Sequence, residues 1–268
     1  QIPALDTADL AALTDAQIAA LTTAQVAALS TAQIGKLTTG QIAALETADL
    51  RALSTAQIVA LTSDQVQALS INQIAALTTA QVRAIETADL VALNADQLAA
   101  LTTAQIQALS TAQIRALETA DVAALTQDQV AGLTPAQVAA LSTAQVVALT
   151  TAQMTALTTA QVVALSTAQV KAIETADLAT LATAQVVAMQ TADFAALTTA
   201  QVVALTTAQI AALSNAQLAA LSTAHNGLQH QRAVAAGGNG GLQFAGRLGR
   251  IDARIAGERR ATEQQAEK

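Results

Sequence analysis

His225 and His230 are the residues best suited to hold a metal or move a proton, and they stand five positions apart with no cluster of carboxylates beside them. Cysteine is absent, which removes thiolate ligands, thiol nucleophiles and disulfides. Paired acids come next. Glu46/Asp49, Glu86/Asp89, Glu118/Asp121 and Glu174/Asp177 are each three residues apart, close enough on a helix to cooperate as acid and base. That spacing is also the spacing of a helix cap, and the pairs recur at a fixed phase, so capping accounts for them. Gly237-Gly238-Asn239-Gly240-Gly241 lacks the Lys-Ser/Thr of a P-loop and the spacing of a dinucleotide fingerprint, and reads as a hinge. No Ser or Thr is set apart beside a His and an acid, as a nucleophile requires. The expectation is a chain with no catalytic residue, no cofactor, no metal and no small-molecule ligand.

What must be positioned is therefore not a reaction centre but a repeat. Leucines fall every eighth residue from Leu5, with Ile85, Ile173 and Met189 as substitutes, and twenty-seven octads run to Ala220 without insertion or deletion. Counting from the leucine as position one, the consensus is L-[TSE]-T-A-[QD]-[IVL]-x-A. A continuous α-helix turns about 100° per residue, so eight residues leave about 80° of drift and the apolar stripe would wind around the rod. Coiled coils need periods near seven or eleven. A helical reading thus requires a break in every octad.

Pro135, in LTPAQVAAL, locates that break. Proline suits the first helical position, and it pushes the preceding Thr134 out of the helical region. Position two is usually Thr or Ser, the preferred N-cap types, and position five is Gln or Asp. The pattern is a capping box repeated in each octad. Each octad then reads as a cap and about two helical turns ending at the next leucine, with a one-residue corner. Where position two is Glu, position five is Asp, and Gln190/Asp193 follows suit, as though the two side chains share one small space; position-three Thr is expected to take over the cap in those octads.

On such a helix the Leu and Val/Ile positions share the inner side, with Ala allowing close approach of backbones. Positions three and seven face water, as Arg51, Arg83, Arg115 and Lys171 at position seven suggest. One Leu and one Val or Ile cannot repay the ordering of eight residues, so neighbours must stack. The expected fold is all-α: a solenoid of very short helices, one per octad, over residues 1–224. A β-solenoid is the alternative, since positions four, six and eight alternate as apolar residues. Ala, Gln, Leu and Pro135 argue against it.

Charge divides along the chain. Fifteen acids face five Lys/Arg before residue 225, whereas seven Lys/Arg face four acids after it. An acidic body argues against a nucleic-acid partner. No apolar run approaches the length of a membrane span. The chain opens in mid-octad, Gln1 to Ala4, so this end is expected either to continue a longer array or to be covered by another copy. Residues 225–241 form the hinge. In residues 242–268, Phe244, Leu248, Ile251 and Ile255 form one helical stripe flanked by basic residues that include Arg247 and Arg254. This basic amphipathic helix is the candidate self-assembly element, able to cap its own solenoid, clasp another copy or lie on a membrane surface.

The nine residues of LTPAQVAAL resemble the opening of a TAL-effector repeat, but period eight and the acidic body exclude base reading. Residues 1–220 resemble the TTAQ(V/I)AAL octad arrays of large bacterial surface or secreted proteins. That resemblance implies a structural role as spacer, adhesin or matrix fibre, located outside the cell or on its surface, and carries over no functional residue. The function expected is end-to-end self-assembly into an extracellular filament, fibre or surface layer, with the chain's own copies as its partners. The alternative is a solenoid whose Thr-rich face, Thr at position three in twenty of twenty-seven octads, binds a glycan, a surface or ice.

Overall fold

A six-residue helix is nearly all ends. Four N–H groups at its start and four carbonyls at its finish lack partners within it, so what caps it decides whether it forms. The computed structural model of the chain describes residues 5–221, and there the caps and the helices coincide. Short helices begin every eight residues from Thr7–Ala11 to Thr207–Ala211, and a further helical stretch covers residues 215–221. No described residue lies in a strand. The fold is an all-helical solenoid, as the capping pattern implies, and the β alternative is not adopted.

The octad beginning at Leu37 shows how one unit closes. Thr38 is extended at φ −71°, ψ 160°, and its Oγ1 accepts from the Gln41 N–H at 3.1 Å. In return Gln41 Oε1 accepts from the Thr38 N–H at 2.8 Å. The helix runs Thr39–Ala44 and stops there, because Leu45 has already turned extended at φ −62°, ψ 137°. Its N–H still donates to the Ile42 carbonyl at 3.3 Å, which tightens the last turn. The corner is thus two residues, the leucine and the next cap, rather than the one expected, and the helix ends before the leucine. The extended leucine turns its side chain into the interior, where Leu45 is buried. Pro135 occupies the first helical position of Pro135–Ala140, after Thr134 at φ −71°, ψ 153°.

The chain groups into two compact units that divide between Leu165 and Ser166. In the first, Asp15–Ala19 packs on Thr39–Ala44, Thr23–Ala27 on Thr47–Ala52, and Pro135–Ala140 on Thr159–Ala164. In the second, Thr167–Ala172 packs on Thr191–Ala196 and Thr175–Thr180 on Thr199–Ala204. Every pairing joins octads three apart. One turn of the solenoid is therefore three octads, and each turn has three sides.

Positions one and six line the interior of both units, as expected, and the larger Met154, Met189 and Phe194 are accommodated there. Positions three and seven face outward, with Thr39, Thr47, Arg51 and Val59 exposed. Two assignments change. The alanine at position four is exposed, as at Ala48 and Ala56; close approach falls to the half-buried position eight. There, a Cβ added to Gly132 would run into the Thr103 Cγ2 methyl of the turn below. The second change concerns position five, whose glutamines are buried polar groups: Gln41 is 1 % exposed and Gln105 2 %.

Candidate assembly surface

A buried amide needs partners for both its oxygen and its nitrogen. The oxygen of each glutamine closes the capping box. The nitrogen reaches the turn below. Gln41 Nε2 donates to the Leu13 carbonyl at 2.7 Å and the Leu10 carbonyl at 3.0 Å. Gln105 does the same to Leu77 at 2.7 Å and Ile74 at 2.9 Å. In the second unit Gln201 reaches Ile173 and Val170, and Gln209 reaches Leu181 and Leu178. The acceptors lie 28 and 31 residues back, at the C-terminal end of a helix, where carbonyls lack intrahelical partners. One side chain thus caps the start of its own helix and the end of a helix one turn below. The residues had carried a signal for this. Glutamate would close a capping box as well as glutamine, yet position five holds only Gln or Asp. Glutamate cannot donate.

The acid pairs resolve into this scheme and not into acid–base machinery. Asp49 Oδ1 accepts from Thr23 Oγ1 at 2.8 Å, and Asp89 Oδ1 from Ser63 Oγ at 2.6 Å, both hydroxyls at position three of the turn below. Thr47, expected to cap its own octad, is instead the first helical residue behind the cap Glu46. Asp121 Oδ2 accepts from the Glu118 N–H and Asp193 Oδ2 from the Gln190 N–H, each at 2.9 Å. Burial raises the Asp121 carboxyl from its ordinary value; the Glu118 N–H works against this and the Glu118 charge adds to it. Burial raises Asp193 likewise, opposed by the Gln190 N–H.

Among the described residues no three His, Cys, Asp or Glu side chains gather as metal ligands. A shallow depression of about 640 Å³ opens beside Arg115 and is walled by Thr87, Thr111 and alanines. Arg115 Nε donates to the Ala140 carbonyl at 3.3 Å, so this cation is used in joining adjacent turns. The depression holds no acid, histidine or paired nucleophile.

The first turn differs from those above it. Leu5, Leu13 and Leu21 are half-buried, whereas Leu29 and the position-one residues after it are buried. Gln17 and Gln25 keep the capping half of their role, each oxygen accepting an N–H at 2.8 Å, from Thr14 and Thr22. Their amide nitrogens meet no acceptor among the described residues. Gln33 is the first to reach back, donating to the Leu5 carbonyl at 2.9 Å. Three half-buried leucines and two amides without a described acceptor set this turn apart from the later ones. The other candidates, Phe244, Arg247, Leu248, Ile251, Arg254 and Ile255, lie outside the described residues, as do His225, His230 and the glycine hinge.

No described helix is long and apolar enough to cross a membrane. A comparison with curated proteins returned no match. A family model for the ALTTAQ repeat matches seven times, over residues 2–39, 42–79, 82–119, 103–135, 130–159, 170–207 and 186–223. Matches of that extent cover most of the chain, and the chain belongs to the ALTTAQ repeat family.

Proposed function

We propose that the protein is a structural repeat element that assembles end to end, outside the cell or on its surface, into a filament, matrix fibre or layer. One observation carries this reading. Inside each unit one turn meets the next through the same face, octad on octad three apart, so a single contact repeats along the array. An array whose subunits stack by one repeated contact has no intrinsic length limit. The basic segment at residues 242–268 opposes the acidic body in charge and serves as a clasp between copies. Light scattering on the purified chain, with negative-stain imaging, tests the reading: particles should lengthen with concentration. Deleting residues 237–268 should leave short particles. Long fibres unchanged by the deletion would remove the clasp, and a chain monomeric at every concentration would remove the assembly.

A second reading is favoured by the exposed position-three threonines, such as Thr39, Thr47 and Thr55. In it the solenoid is an adhesion module that presents this face to a glycan, a surface or ice. It requires a specific ligand for the monomer, which binding to a glycan array or an ice-recrystallisation assay would reveal.

A further inference from the structure

The depression beside Arg115 has a cause in the sequence. Its walls belong to three successive turns on one side of the first unit, in the octads at Ile85, Leu109 and Leu133. Thr87 and Thr111 stand at position three, one turn apart. The octad at Leu133 turns Pro135, Ala136 and Ala139 outward, so no long side chain fills the space beyond Arg115. Arg115 is held there by its Nε, which donates to the Ala140 carbonyl at 3.3 Å. Arg51, Arg83 and Lys171, at the same octad position, make no such contact among the described residues. The two terminal nitrogens of Arg115 and the hydroxyls of Thr87 and Thr111 meet no partner among the described residues. Neither Glu86 nor Glu118 lines the depression.

We infer that this depression binds a carboxylate-bearing sugar, a uronic acid unit of a polysaccharide lying across the side of the solenoid. This inference rests on the adhesion reading above and gives it a place and a ligand class. A guanidinium pinned through Nε offers its two terminal nitrogens side by side, the fork that takes both oxygens of a carboxylate. The threonine hydroxyls both donate and accept, as sugar hydroxyls do. The methyls of Ala112, Ala136 and Ala139 form an apolar floor for the C–H face of a sugar ring. A volume of about 640 Å³ is that of a ligand site, but the hollow is shallow and leaves a ligand partly uncovered. That suits one unit of a polymer that runs on beyond it. An extended peptide would find no strand edge to pair with, since no described residue lies in a strand.

The test is binding of the full chain to immobilised polygalacturonate, alginate and hyaluronate, each beside its carboxyl-reduced form. The parent should bind at least one uronate polymer and should not bind its carboxyl-reduced form. Arg115→Gln should weaken that binding about 10- to 100-fold, the worth of one bidentate charge-assisted contact. Arg115→Lys keeps the charge without the fork and should recover only part of the loss. Ala136→Glu places an acid on the exposed floor without removing the Arg115–Ala140 contact. It should weaken binding as strongly, with helicity by circular dichroism unchanged. Arg83→Gln, at the same octad position outside the depression, should bind as the parent does. Uronate binding that survives both Arg115→Gln and Ala136→Glu overturns this site while leaving the adhesion reading standing. Equal binding of the carboxyl-reduced polymers overturns the carboxylate assignment. A parent that binds none of the three polymers overturns the inference, and the glycan array and ice assay still decide the adhesion reading.

Discussion

Replacing Gln105 by Glu separates the two roles of the position-five side chain. Gln105 is 2 % exposed; its oxygen accepts from the Thr102 N–H at 2.7 Å, and its nitrogen donates to Leu77 and Ile74. Glutamate preserves the first contact and removes the other two. Two hydrogen bonds at about 1 kcal/mol each give a loss of about 2 kcal/mol. The buried charge adds to this, but only up to a ceiling. Glutamate can escape by taking a proton, and moving its pKa from about 4.3 to 7 corresponds to about 3.7 kcal/mol. The expected loss at pH 7 is therefore between about 2 and 6 kcal/mol. The folded-state pKa of the new glutamate lies above its unfolded value, so the deficit is full at neutral pH. It shrinks as pH falls toward about 4.3, where the protonated acid again donates to one carbonyl. Repeat arrays need not unfold in one step, so the assay is amide exchange of the octads around Leu77 and Gln105 alongside thermal melts. Gln107→Glu, the same substitution on an exposed position two residues away, should cost under about 0.5 kcal/mol. Equal losses at 105 and 107, or a deficit at 105 that does not shrink in acid, would refute the claim that the amide nitrogen joins turns.

The raised carboxyls of Asp121 and Asp193 make the parent's own stability depend on pH in the same sense. Their folded pKa values exceed the unfolded value of about 3.9, so their contribution favours folding as pH falls toward that value and is lost as pH rises through the folded values. Melts of the parent and of Asp121→Asn with Asp193→Asn, compared across that range, should show a weaker acid-side gain in the double variant. Ala182 is a cap with no side-chain acceptor, although Gln185 Oε1 still accepts its N–H at 2.7 Å. Ala182→Thr supplies the missing half of the box and should stabilise its unit by about 1 kcal/mol, read as a raised denaturation midpoint.

Much of this fold was legible because the repeat writes its local rules so many times. Pro135 and the Thr/Ser caps fixed where each helix begins, and the Leu and Val/Ile positions fixed its inner side. The corner spans two residues and not one because the leucine's N–H remains hydrogen-bonded while its ψ is already extended, a distinction that residue types do not record. Three octads per turn could not be read at all: it depends on the angle accumulated at two-residue corners. The partner of the glutamine nitrogen depends on that number, since only three octads per turn bring a helix end to a separation of 28 residues. The sequence does carry one clue to it, the exclusion of glutamate from position five. The stripe from Phe244 to Ile255, expected from its spacing to be a self-assembly helix, lies outside the described residues.

The exclusion of glutamate also explains why aspartate is admitted. A glutamate at position five is long enough to press its charge against the carbonyls below, with no donor to offer them. An aspartate is one methylene shorter and can turn elsewhere: Asp49 and Asp89 toward a hydroxyl of the turn below, Asp121 and Asp193 toward the N–H of their own cap. Neither arrangement gives an ionised carboxylate a proton to donate, so these octads contribute no side-chain bond to the carbonyls that a glutamine would reach. The solenoid is thus a stack of turns fastened by an amide at most octads and by a hydroxyl at Asp49 and Asp89, whereas at Asp121 and Asp193 the carboxylate turns to its own cap. In an array where each turn touches only its neighbours, local opening begins where the fastening is missing. The octads of Asp121 and Asp193 are therefore where neighbouring turns are expected to separate first, while the glutamine octads on either side hold their own contacts.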